Sequence, residues 1–194
     1  MLSCNAKKQA TQIEENIKAF DGNDTSYYYE RLHLEDLRFS RDSSSIRFWL
    51  TYTSLVDSGK IVNLKYRQGA WQAEFITYRF KLMSIKDTCP ALLTRTYVLG
   101  SPVSGWESLL SQFKKIGLYS INDNDRKENY GLCSDDNILK VEILNNMNYS
   151  EYIYPCWESI KNQEHVSKVI ESLKLIEAQF GFKIQPFLPG PRSL

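Results

Sequence analysis

The sequence predicts an α+β fold, an antiparallel meander sheet packed by a central helix and a long C-terminal helix. Three observations carry that prediction. Aromatic residues make up 13% of the 194 residues, with 12 Tyr, 9 Phe and 4 Trp, and chains rich in Tyr and β-branched residues favour sheets. Between residues 46 and 82, apolar and polar side chains alternate in three runs separated by short turns, the period of half-buried strands. Near the C-terminus, Val166, Val169, Ile170, Leu173, Ile176 and Phe180 instead recur at the helical spacing.

The elements follow in chain order. Residues 1–25 form a tether segment, in which Ala10, Ile13, Ile17 and Phe20 allow a short amphipathic helix stopped at Asp21-Gly22-Asn23-Asp24. A single domain spans 26–185. Its first strand is expected over Tyr28 to Phe39, where Leu32 and Leu34 alternate with Arg31, His33 and Glu35. Ile46 to Tyr52 forms the next, with Phe48 and Leu50 on one face and Arg47, Trp49 and Thr51 on the other. Asp57-Ser58-Gly59-Lys60 reads as a hairpin turn into a strand over 61–67. Gln68-Gly69-Ala70 then opens a long strand from Trp71 to Leu82, in which Trp71, Ala73 and Phe75 share one side. Three strands in succession on short turns make a meander.

After Cys89-Pro90 a further strand covers Leu92 to Leu99. Ser104 has the chemistry of an N-cap for a helix over 105–116, with Trp106, Leu109, Leu110, Phe113 and Ile116 on its apolar face and Gly117 as its stop. Residues 122–137 are polar and loop-like. Ile138–Leu144 and Tyr149–Tyr154 form a hairpin around an Asn-rich turn, and the terminal helix closes at Gly181 with Phe182 behind it. Residues 186–194, with three prolines and a glycine, form a flexible tail.

Composition narrows the function classes. Lys plus Arg is 24 against 23 for Asp plus Glu, a net charge of +1, which argues against a nucleic-acid or anionic-membrane surface. The only histidines, His33 and His165, lie far apart, one on the polar side of a strand and one on an exposed helix turn. No metal-ligand spacing joins them, so neither metal nor cofactor is expected. Asn122-Asp123-Asn124-Asp125 offers oxygen ligands without the spacing of a calcium loop. Ser111-Gln112-Phe113-Lys114 matches the bare Ser-x-x-Lys pattern of acyl-transferring enzymes, without the Ser-Asp-Asn and Lys-Thr-Gly elements that accompany it.

Cys133 and Cys156 flank the second hairpin, so a disulfide between them would close its open end. Hairpin register places Cys156 opposite Asn137, and residues 133–137 would have to fold back. Buried free thiols are the simpler alternative. Among binding features the aromatic residues stand out. Trp49, Trp71 and Phe75, with Tyr28 beside them, are candidates for a recognition platform, set against the plain role of core filling.

The start Met1-Leu2-Ser3-Cys4-Asn5 and the polar stretch after it resemble the end of a bacterial lipoprotein signal. Together with Gly69-Ala70-Trp71-Gln72 and Gly105-Trp106-Glu107, they make the chain resemble bacterial secreted lipoproteins of unknown function. The resemblance implies that Cys4 bears lipid, that the protein lies in the cell envelope, and that it meets the membrane through acyl chains alone. It brings no catalytic residues. The functional expectation is a non-enzymatic envelope lipoprotein that binds a protein or glycan partner. The alternatives are a periplasmic inhibitor or immunity-type protein and, less simply, a small serine hydrolase using Ser111 and Lys114.

Overall fold

A computed structural model describes residues 26–53, 58–81, 91–121 and 136–184. The predicted N-terminal helix, the oxygen-rich loop at 122–125 and the tail lie outside them, as do Cys4, Cys89 and Cys133. The α+β expectation holds. Helix α1 (Ser26–Arg31) leads into β1 (Ser44–Thr53), β2 (Ser58–Arg67), β3 (Ala70–Lys81) and β4 (Ala91–Leu99). Then follow α2 (Trp106–Ile116), β5 (Asp136–Asn145), β6 (Asn148–Pro155) and α3 (Glu164–Phe180). The six strands form one sheet in the order β4-β3-β2-β1-β5-β6, and each neighbouring pair is antiparallel.

Two tight turns set the register. Gln68 and Gly69 join β2 to β3, and Asn146 and Met147 join β5 to β6, all four with positive φ. Two-residue turns of that kind match the twist of the strands they connect. Gly59 serves a different need, because a Cβ there would lie 2.5 Å from the Tyr78 hydroxyl and 2.7 Å from the Leu50 carbonyl. The Tyr78 ring fills the place a side chain would take, and its hydroxyl lies 3.0 Å from Thr51 Oγ1.

One face of the sheet packs against the helices. Phe48, Leu50, Val62, Leu64 and Val141 share a core with Leu109 and Phe113 of α2 and Val166, Val169 and Ile176 of α3. Each such side chain removed from water stabilises the fold by about 1.5–3 kcal/mol. Both helices end at left-handed glycines, Gly117 (φ 84) and Gly181 (φ 69), whose N–H groups satisfy late carbonyls. The N-cap of α2 is Gly105, not Ser104. Ser104 instead donates its backbone N–H to Gln179 Oε1 at 2.8 Å, tying the start of α2 to the end of α3.

The opposite face holds the main correction. Residues 28–39 are not a strand. They form the end of α1, a turn in which His33 takes φ 53, and a 3-10 turn over Leu37–Phe39. Leu32 and Leu34 pack down onto Trp49, Ile61, Ile76 and Tyr78, and Tyr29 is buried among them. The alternation that resembles a strand comes from an irregular segment laid across the sheet rather than hydrogen-bonded along it. Smaller differences lie at element ends. Ser58 already belongs to β2 although it was expected in a turn, and Asp136 and Asn137 begin β5 inside the expected loop.

Candidate functional site

A groove of about 390 Å³ opens where the start of β3, the outer side of α2 and the ends of β1 and β5 converge. Trp71, Tyr119, Ser111, Lys114, Ser44 and Asn145 line it. Local structure explains each placement. Trp71 follows the Gln68-Gly69 turn, and its ring stacks at 5.8 Å on Trp106, the first residue of α2, with Tyr66 at 5.6 Å. Ser111 and Lys114 lie one helical turn apart and are both exposed, while Leu109 and Phe113 hold the opposite side of α2 in the core. Gly117 ends the helix, and the 3-10 turn over Leu118–Ser120 buries Leu118 and presents Tyr119. Burial pushes the Tyr119 phenol up to about 12, so at neutral pH it remains a hydrogen-bond donor. Ser44 and Asn145 face one another in the β1–β5 register.

The groove thus brings Trp71 together with Ser111 and Lys114. For acyl transfer the lysine would have to be desolvated and bonded to the serine. Lys114 is exposed, and no hydrogen bond joins it to Ser111 among the described residues. Aromatic walls with a few hydroxyl, amide and ammonium groups are the chemistry of a site that binds and orients a small ligand.

The other predicted aromatics lie elsewhere. Phe75 is on the face of Trp71, half-buried between Phe182 at 4.7 Å and Tyr97 at 6.2 Å. Trp49 is on the opposite face and only 2% exposed. The backbone of Tyr28 lies in α1, and its side chain is outside the described residues. The four therefore do not form one platform.

Trp49 is surrounded by a buried polar row that strand alternation alone does not signal. Pairing aligns Glu74, Asn63, Arg47, Glu142 and Glu151 in one row across β3, β2, β1, β5 and β6. Asn63 accepts from Arg47 Nε at 3.3 Å and donates to Glu74 at 3.0 Å. Glu142, with no exposure, accepts from Tyr29, from Trp49 Nε1 at 2.5 Å and from Tyr149 at 2.9 Å. Arg47 and Lys140 each approach it to 3.5 Å, and Lys140 also meets Glu151 at 2.7 Å. Burial, and then the Glu142 charge, raise the Tyr149 phenol well above its ordinary value, which keeps it a donor. Two buried cations thus face two carboxylates. The signal for this was present in the sequence, because Arg47, Lys140 and Glu142 occupy central strands where an exposed polar face would not be expected to mix with Trp49.

A cleft of about 270 Å³ lies beside this row, with Arg47, Asn63, Lys65, Arg67, Glu35 and Asp42 among its lining. Its charges answer one another. Arg67 bridges Glu35 at 2.8 Å and Asp42 at 3.0 Å, and Lys65 meets Glu74 at 2.8 Å. Among the described residues that line the groove, Lys114 alone is charged.

His33 is exposed in a turn rather than on a strand, and His165 is buried rather than exposed, its ring 5.4 Å from that of Tyr154. Among the described residues no cluster of His, Cys, Asp and Glu could hold a metal. Cys156 is in a disulfide, so it is not a free thiol, while its predicted partner Cys133 lies outside the described residues. The backbone N–H of Cys156 bonds to the Asn137 carbonyl at 2.7 Å, the juxtaposition expected from hairpin register. No described helix is long and apolar enough to cross a membrane. No protein-family model matches the chain, and no curated protein matches it in sequence.

Proposed function

We propose that this chain is a non-enzymatic module of the bacterial cell envelope, tethered through lipid on Cys4, that holds a glycan in the Trp71–Tyr119 groove. A meander sheet packed by the central and C-terminal helices serves as the rigid scaffold. One observation carries the reading: two aromatic walls flank Ser44, Ser111, Asn145 and Lys114 in a cavity of small-ligand size. Aromatic surfaces cover the C–H face of a sugar ring, and the hydroxyl, amide and ammonium groups meet its hydroxyls. The Cys156 disulfide supports an oxidising compartment, since such bonds are rare in the reducing cytosol.

The test is a calorimetric titration of the full chain with soluble peptidoglycan fragments and with neutral oligosaccharides, accompanied by tryptophan fluorescence. Binding is expected with Trp71 emission changed. Trp71→Ala should weaken it at least about tenfold, as loss of an aromatic anchor does, and Ser111→Ala several-fold less. Absence of binding across both sugar classes contradicts the glycan reading. Binding that Trp71→Ala leaves untouched contradicts the site. The anchor is tested separately, by Cys4→Ala releasing the protein from the membrane fraction.

A further inference from the structure

Among the described residues strand β4 is an edge of the sheet, paired with β3 alone. Residues 93–98 are all exposed, and among them Leu93 is 56% and Val98 83% accessible, with Tyr97 beside them. Soluble proteins usually blunt such an edge with proline, several charges, a bulge or a covering segment. From Ala91 to Leu99 there is neither proline nor glycine, and Arg95 is the single charge. An unpaired ladder of this length is a template for one more antiparallel strand.

We propose that the strand it takes is β4 of a second copy, in the register centred on Thr96. The argument is one of symmetry and charge. Two identical edges meet antiparallel about a two-fold axis. That axis stands normal to the continuous sheet, so it must fall on a residue rather than between two. The exposed run 93–98 has its middle at Arg95 and Thr96. An axis on Arg95 sets two guanidinium groups directly opposite, which is destabilising. An axis on Thr96 sets Thr96 opposite Thr96, Arg95 opposite Tyr97, Thr94 opposite Val98 and Leu93 opposite Leu99. Every one of these cross-strand pairs is favourable: hydroxyl to hydroxyl, cation to aromatic ring, β-branched to β-branched, leucine to leucine.

The faces also agree. Leu93, Arg95, Tyr97 and Leu99 stand on the helix-packed side, because they pair with Arg79, Thr77, Phe75 and Ala73 of β3. Thr94, Thr96 and Val98 stand on the other side, next to Tyr78, Ile76 and Glu74. The dimer joins two six-stranded sheets into one, and the Phe75–Tyr97 contacts of the two copies meet across the axis. A strand-edge interface is small, so the dimer is weak and reversible, with a dissociation constant on the order of 10–100 μM. This inference uses a surface separate from the groove and stands whether or not the groove binds a glycan.

The test is sedimentation velocity on the full chain from about 5 μM to 1 mM, with circular dichroism confirming the fold of each variant. The average mass of the wild type should rise over that range toward the dimer value. Thr96→Lys, which sets two ammonium groups face to face on the axis, should raise the dissociation constant more than about tenfold. Thr94→Lys, on the same strand and face but opposite Val98, should change it less than about threefold. Should Thr96→Lys fail to fold, Arg95→Glu removes the contact with Tyr97 and should weaken the dimer at least several-fold. A chain monomeric at 1 mM overturns the proposal, and equal weakening by the two lysine variants overturns the register.

Discussion

The two edges of the sheet are built in opposite ways. On β6, Tyr152 and Tyr154 are buried, and the Tyr152 hydroxyl donates to the Ile121 carbonyl at 2.7 Å. Glu151 is held by Lys140, Pro155 ends the strand, and the disulfide-bonded Cys156 follows at once. That edge carries a proline, a paired carboxylate and a covalent tie, devices that discourage strand addition. On β4 the outward side chains are apolar or β-branched and stand in solvent, with one cation among them. The difference teaches that this sheet runs its buried polar chemistry toward one edge and leaves the other without it. The row from Glu74 to Glu151 runs toward β6 and stops short of β4, where the aligned residue is Val98.

Substitutions on the two sides should therefore differ sharply. The largest effect is expected from Glu142→Ala, which takes from buried Arg47 and Lys140 the carboxylate they share and leaves Lys140 its contact with Glu151. Loss of one partner from a buried ion pair costs about 3–5 kcal/mol, and urea denaturation should show it as a lower midpoint with little change in slope.

A smaller effect comes from acid at the point where the row nears the open side. Burial raises the Glu74 carboxyl, but hydrogen bonds from Lys65 and Asn63 outweigh it and hold it below the ordinary value of 4.5. The folded-state pKa is depressed, so this contribution is present above the unfolded value and fades as pH falls through the folded one. Stability measured from pH 6 to 3 should drop below about pH 4.5, and Lys65→Met should make that drop shallower. An unchanged acid profile in Lys65→Met would detach Glu74 from the row. The smallest effect is expected from Val98→Lys. With 83% of its side chain in water, the change should shift stability by less than about 0.5 kcal/mol, as read by the same denaturation.

Much of this organisation was legible in the sequence, and what was hidden has physical reasons. Strands β1, β3, β4 and the β5–β6 hairpin follow from period-two alternation and turn chemistry, and α3 from its apolar spacing and Gly181. These signals are local. The segment 28–39 mimics a strand in sequence because Leu32 and Leu34 look alike whether they flank a ladder or press onto a sheet face from above. Alternation separates two faces but does not say which one a distant segment covers, so in sequence Trp49 resembles a surface platform residue, whereas Tyr29 and Glu142 lie beside it in the fold. The Ser111-x-x-Lys114 spacing correctly placed both groups on one helix side. It carried no information about Trp71 and Tyr119, which reach the same groove from elements far apart in the chain. Hairpin register sets the position of Cys156 but does not name its disulfide partner, which lies outside the described residues.

Amide hydrogen exchange at two protein concentrations tests the contrast between the edges most directly. Raising the chain from about 5 μM to about 500 μM should slow exchange within residues 93–99 and leave residues 148–155 unchanged. Exchange on β4 that does not depend on concentration, or slowing that appears on β6 instead, would contradict the account.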